Sequence, residues 1–191
     1  YDDQLEPLVN RERDVVEALN AIAEHDYSRD DLFLQYQPII DLKTGSILSF
    51  EALARLRTGK LGLVPPMEFI PIAEKTKLII PIGERVIVKA LQFLNRLKEL
   101  GRDDVNVSIN ISAIQLLNPG CADRLLELIR KMQVAPKNIG IEITESVFAA
   151  DFEHINSILQ ELRDAGISVA IDDFGTGYSS LAREKELKVD C

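Results

Sequence analysis

Two cysteines, two histidines and no tryptophan occur in the 191 residues of this sequence. Cys121 and Cys191 are too few for a disulfide framework, and no CxxC pair is present to build a zinc ribbon. Such thiol poverty suits a reducing cytosol. His25 lies in the leading segment and His154 in a helix-patterned stretch, so no Ser-His-Asp or Cys-His constellation is available. No apolar run approaches membrane-spanning length, and no signal peptide opens the chain. Positive charge is short as well: 22 Lys and Arg face 31 Asp and Glu, for a net charge of −9. Duplex nucleic acid requires clustered basic side chains, so that class of partner is not expected. An acidic chain still binds a small phosphorylated ligand where divalent cations carry the positive charge. Internal repeats and low-complexity tracts are also absent.

What is present suffices for one sizeable domain: 46% of residues are hydrophobic and 28% charged. The chain opens with Tyr1 rather than Met and stops at Val189-Asp190-Cys191, so it is expected to be a piece of a longer protein. Residues 1–30 are acidic and helix-prone, with Leu5, Leu8, Val15, Val16, Leu19 and Ile22 at roughly helical intervals. They read as a helical linker or docking helix, with a solvated leader as the alternative.

Residues 33–42 alternate as a strand, with Phe33, Gln35, Gln37 and Ile39 on one face and Leu34, Tyr36 and Ile40 on the other. Asp41-Leu42-Lys43-Thr44-Gly45 reads as a turn, so the strand over 47–56 is expected to return antiparallel as a hairpin. Pro65-Pro66 opens a short helix whose apolar side is Met67, Phe69, Ile70 and Ala73. A long amphipathic helix is predicted over 83–100, with Gly101 ending it. The order then becomes regular: strand 105–112, helix 122–132, strand 139–146, helix 152–165, strand 167–173, and a helix from about Ser179. Strands alternating with helices imply parallel βαβ units.

The strand faces are more specific. Val105, Val107, Ile109 and Ile111 alternate with Asn106, Ser108, Asn110 and Ser112. Ile139, Ile141 and Ile143 alternate with Gly140, Glu142 and Thr144; Ile167, Val169 and Ile171 with Ser168, Ala170 and Asp172. A flat doubly wound sheet is covered by helices on both faces and wants both apolar. One apolar face and one small or polar face fit a barrel lumen instead. The polar residue near each C-terminal strand end is Asn110, Glu142 and Asp172, with Glu51 from the second strand. Catalytic residues of (β/α) barrels sit at those ends. Each one alone could be a hydrogen-bonded lumen residue. Four at equivalent depth point further, because buried carboxylates need pairing or metal.

Asp172-Asp173-Phe174-Gly175-Thr176-Gly177-Tyr178-Ser179-Ser180 adds a second acid beside the first. Strict alternation sends Asp172 and Asp173 to opposite faces, and both reach one site only if the strand ends there and turns through Gly175 and Gly177. Adjacent carboxylates disfavour joint ionisation without a counter-charge. Hard oxygen donors of this kind suit Mg²⁺ or Mn²⁺.

Five motifs in order, Gln37-Pro38-Ile39, Glu51-Ala52-Leu53-Ala54-Arg55, Asn110-Ile111-Ser112, Glu142-Ile143-Thr144-Glu145 and the Asp172–Ser180 run, resemble the EAL domain of bacterial cyclic di-GMP phosphodiesterases over roughly residues 32–190. The resemblance implies an α/β fold, a modified (β/α)8 TIM-like barrel with one antiparallel strand, of which about five strands lie in this chain. It implies domain limits of 1–30 for the leader and 31–191 for the EAL domain. It implies that Glu51, Asn110, Glu142 and Asp172 hold one metal and that Asp172 and Asp173 bridge toward a second, Mg²⁺ or Mn²⁺. Gln37, Leu53 and Arg55 are the implied substrate contacts, and Glu145 the implied brace of the loop carrying Asp173. The implied reaction opens one phosphodiester of cyclic di-GMP to give linear 5′-pGpG.

The family continues beyond this chain with a strand carrying a lysine that orients or deprotonates the attacking water, then a glutamate and a glutamine. Lys185 and Lys188 lie upstream of that position and are not assigned to it. The parent protein is therefore expected to be the enzyme, and the fragment alone to be inactive. The alternative is a cyclic di-GMP receptor that passes binding to a neighbouring domain. An upstream sensor or cyclase-like domain, a homodimer and a cytoplasmic location, in a protein that is itself free or membrane-attached, complete the expectations.

Overall fold

A computed structural model describes residues 5–24 (side chains from residue 9), 31–144 and 151–172. Two compact units divide it: residues 1–35 with 54–86, and residues 36–53 with 87–191.

The first unit begins with α1 (Leu5–Glu24). Val15, Leu19 and Ile22 recur at helical spacing and are completely or almost completely buried. Arg11 pairs with Glu68, Lys75 with Glu12 and Lys60 with Asp14 at 2.6–2.7 Å. Those exposed pairs are screened by water and contribute little, whereas a fully buried aliphatic side chain contributes roughly 1.5–3 kcal/mol. Burial is what holds α1. The helix α2 (Pro66–Lys75) starts at the proline pair, as expected, and buries Phe69 and Ala73. Met67 does not join that side; it is 89% exposed. Two residues from Phe69, at about 100° per residue, it emerges on the opposite face.

The long helix α3 (Ile79–Glu99) starts four residues before the expected Gly83. Pro81 is tolerated there because the first-turn N–H groups have no intrahelical acceptor. The helix closes at Gly101, whose φ of +75° lets the Arg102 amide reach the Leu97 carbonyl at 2.9 Å.

Strands β1 (Leu32–Ile40) and β2 (Ile47–Thr58) form the predicted hairpin. The Asp41 amide meets the Ser46 carbonyl at 2.9 Å, and the Arg57 amide meets that of Asp31 at 2.7 Å. Rising numbers on one strand face falling numbers on the other, so the pair is antiparallel. A short strand, β3 (Gly62–Val64), pairs antiparallel with Leu56–Thr58 and was not anticipated. Three residues carry too little alternation to be read, and Gly62, at φ +67°, supplies the turn.

In the second unit β4 (Asn106–Asn110), β5 (Ile139–Thr144) and β6 (Ser168–Asp172) run parallel to one another and to β2. Between them come α4 (Ala113–Leu116), α5 (Cys121–Lys131) and α6 (Phe152–Asp164). Strand β4 is shorter than the predicted 105–112, because Ser112 has become the residue capping α4, its amide bonded to Gln115 Oε1 at 3.1 Å. Val107, Ile109, Ile141, Ile143 and Val169 are buried, as are Leu125, Ile129, Ile155, Leu159 and Leu162 of the helices. Tyr36 stacks on Phe93 with centroids 3.7 Å apart, and Phe50 meets Phe93 edge-on at 5.4 Å.

Among the described residues the sheet has six strands in the order β1-β2-β4-β5-β6, with β3 beside β2, and it does not close. None of the described helices is long and apolar enough to cross a membrane. The helix expected from about Ser179 lies outside the described residues.

Candidate active site

The parallel registers set the height of every side chain on the polar face. Glu51 pairs with Ser108, Ser108 with Gly140, and Gly140 with Ser168. One step higher, Asn110 pairs with Glu142 and Glu142 with Ala170; a step above that, Thr144 pairs with Asp172. The acids are therefore not at one register level. They climb from β2 to β6, Glu51 lowest and Asp172 highest.

Three intervals separate β2 from β6, about 14 Å in a flat sheet at ~4.8 Å per strand. Yet Glu51, Glu142 and Asp172 each offer a carboxylate oxygen within 4.8 Å of the others. Only a sheet curled toward this face, with tilted and staggered strands, brings them together. Tilt and stagger of this kind are the geometry of a barrel wall.

Small residues fill the level below. A Cβ on Gly140 would stand 2.9 Å from Ser108 Oγ and 3.2 Å from Ser168 Oγ. Glycine thus leaves room for the Ser108 hydroxyl, which hydrogen-bonds the Glu142 side chain. Asn110 Nδ2 donates to Glu51 Oε1 at 2.9 Å, a bond that occupies the amide nitrogen and not the amide oxygen.

Burial raises the Glu142 carboxyl above its ordinary value of 4.5, and the charges of Glu51 and Asp172 push it further up, while the Ser108 hydroxyl pulls it back. A half-buried carboxylate beside two others is costly to ionise without a nearby cation. Three carboxylate oxygens and an amide form a hard-oxygen set fit for Mg²⁺ or Mn²⁺.

Of the expected residues, the structure gathers Glu51, Asn110, Glu142 and Asp172. Asp173 and Glu145 lie outside the described residues. Gln37 is exposed and Leu53 half-buried in the second unit. Arg55 belongs to the first unit, where its Nε donates to Gln35 Oε1 at 2.7 Å and its Nη1 to the Ala54 carbonyl at 2.9 Å. Ser108, Gly140 and Gln35 were not singled out in the sequence. Ser108 and Gly140 stand two residues before Asn110 and Glu142 on the same strand faces, and that spacing is the signal that marks them.

A TIM-barrel-like α/β protein with carboxylates gathered near the C-terminal ends of β5 and β6, joined there by Glu51 from the first half of β2, is the class that this fold and site define. The profile of the EAL domain family matches residues 19–191, and the chain belongs to that family. It is 37% identical over 167 residues to the bifunctional diguanylate cyclase/cyclic di-GMP phosphodiesterase MucR of Pseudomonas aeruginosa, covering 85% of this chain and 24% of that protein. Against the cyclic di-GMP phosphodiesterase PA2567 of the same species it is 32% identical over 183 residues, covering 96% and 31%. The chain thus spans less than a third of the length of these relatives. Among solved structures, the PaMucR phosphodiesterase in complex with c-di-GMP matches with a TM-score of 0.83 at 35% identity, covering 92% of this chain and 70% of that one. The EAL enzyme Bd1971 with cAMP and cyclic di-GMP bound also gives 0.83, at 30% identity, covering 98% and 50%.

Proposed function

We propose that this chain belongs to a metal-dependent phosphodiesterase that hydrolyses cyclic di-GMP to linear 5′-pGpG. The observation that carries the reading is the convergence of Glu51, Glu142 and Asp172 from three strands, with carboxylate oxygens within 4.8 Å of one another, in a chain of the EAL family. Bound Mg²⁺ or Mn²⁺ would supply the Lewis acidity and charge neutralisation that in-line attack on a phosphodiester needs.

The chain's own residues do the rest. Glu51, Asn110, Glu142 and Asp172 form one cation site, and Asp172 with Asp173 extends it toward a second. Asn110 orients Glu51 through its amide, and Ser108 orients Glu142. Arg55 takes a phosphate oxygen of the substrate, a role suited to its fork of N–H donors. Gln37 and Leu53 line the nucleotide, and Glu145 braces the turn carrying Asp173. Residues 31–191 form the EAL portion and 1–30 a leader. An upstream sensor or cyclase-like domain, a homodimer and a cytoplasmic location belong to the same reading.

Hydrolysis of cyclic di-GMP with Mg²⁺ or Mn²⁺ tests it. The comparison is between this chain, a version carried through the strands that follow the Asp172-Asp173 motif in the family, and the Glu51→Ala variant of that version. Linear product from the extended form, lost in the variant, supports the enzyme. Binding without cleavage by the extended form leaves a receptor.

A further inference from the structure

Arg55 is held by neutral partners. Gln35 Oε1 accepts from its Nε at 2.7 Å and the Ala54 carbonyl from its Nη1 at 2.9 Å, all within the first unit. In a chain with 31 Asp and Glu against 22 Lys and Arg, a carboxylate is the partner to expect. Arg11 of the same unit has one, Glu68 at 2.6 Å, and Arg102 elsewhere has Asp104 at 3.1 Å. Arg55 forms no ion pair among the described residues. Among these residues no carboxylate offsets its charge. Among the described residues two of its five N–H donors are engaged, which leaves three on Nη1 and Nη2, a planar fork matched to phosphate oxygens.

We propose that Gln35 is a positioning residue for substrate. Its neutral oxygen fixes Arg55 in one rotamer before ligand arrives and keeps the full positive charge for a phosphodiester oxygen. A carboxylate at position 35 would hold the guanidinium as well but cancel its charge. An apolar side chain would leave it to be ordered on binding, which weakens affinity. The proposal rests on Arg55 being the phosphate contact.

Titration of this chain with cyclic di-GMP, alongside Gln35→Ala, Gln35→Glu, Arg55→Ala and the two double variants, tests it. Gln35→Ala is expected to weaken binding about threefold to tenfold and Gln35→Glu more than about tenfold. Both effects should vanish in the Arg55→Ala background. If Gln35→Glu weakens binding equally without Arg55, or Gln35→Ala changes nothing, the proposal is overturned. If Arg55→Ala leaves affinity intact, the phosphate reading of Arg55 falls first.

A ligand-free measurement decides the positioning separately. The Arg55 Nε–H should exchange with water more slowly than in Gln35→Ala, as read by side-chain ¹⁵N spectra. Equal exchange in the two proteins overturns the positioning even where binding is never observed. Failure of the wild-type chain to bind, with slow exchange retained, counts against the cyclic di-GMP reading and not against the Gln35–Arg55 contact.

Discussion

Asn110 donates from its side-chain amide to Glu51 Oε1 across 2.9 Å, tying β4 to β2 at the acidic cluster. The bond engages the amide nitrogen, and in the proposed site the amide oxygen is the atom that would face a cation. Removing it in Asn110→Ala should lower Mn²⁺ affinity by about 10–100-fold, the usual cost of losing an orienting partner or weak donor. The Mn²⁺ concentration dependence of the melting temperature measures this directly. An unchanged dependence would remove Asn110 from the site.

Glu142 gives the cluster a pH signature. Its folded-state carboxyl titrates above the ordinary 4.5 because burial and the charges of Glu51 and Asp172 disfavour ionisation. The folded protein therefore holds a proton that the unfolded chain has released. Stability from this group is fully present below the unfolded value and is lost as pH rises through the raised folded value. In EDTA, Glu142→Gln should melt increasingly above wild type as pH climbs through that window. Added Mn²⁺ should narrow or reverse the difference. A difference independent of pH would contradict the assignment.

Gly140 cannot carry a side chain without moving Ser108. A Cβ there meets Ser108 Oγ at 2.9 Å and Ser168 Oγ at 3.2 Å. Gly140→Ala is expected to cost roughly 1–3 kcal/mol, as overpacking does, and to draw the Ser108 hydroxyl from Glu142. The double variant Gly140→Ala/Ser108→Ala should cost less than the sum of the singles. Urea unfolding of all three proteins provides the numbers.

Asn138 offers a contrast at the other end of β5. It is buried, and its Nδ2 donates to the carbonyls of Asp103 at 3.0 Å and Val105 at 2.9 Å. Asn138→Ala should cost about 1–3 kcal/mol by leaving buried acceptors unsatisfied. Its Mn²⁺ response should match wild type, since it precedes the N-terminal end of β5, whereas Glu142 lies near that strand's other end. Unfolding and metal titration on one sample separate the two effects.

Much of the fold was legible because alternation is local. A β-branched face against a small or polar one follows from the side-chain period of two, so β4, β5 and β6 could be read with their faces assigned. Helices α5 and α6 could likewise be read from apolar spacing. The start of α3 differs from the predicted Gly83 because a first turn, whose N–H groups need no intrahelical acceptor, extends the helix back through Pro81 to Ile79. Strand β3 escaped because three residues are too short for any period. Met67 was placed on the buried side of α2 because it is apolar, whereas its angle from Phe69 carries it outward.

The identities of Glu51, Asn110, Glu142 and Asp172, and the place of the last three near the C-terminal ends of their strands, were determined by the sequence alone, because residue type and alternation are properties of each segment; Glu51 instead sits in the first half of β2. Their meeting was decided only by tertiary structure. The register climbs from Glu51 to Asp172, and three strand intervals must curl before the carboxylate oxygens lie within 4.8 Å. Stagger and curvature arise from pairing between distant segments, and no single strand encodes them. The same holds for Gln35 and Arg55, 20 residues apart in the chain, which are brought side by side only when β1 and β2 pair.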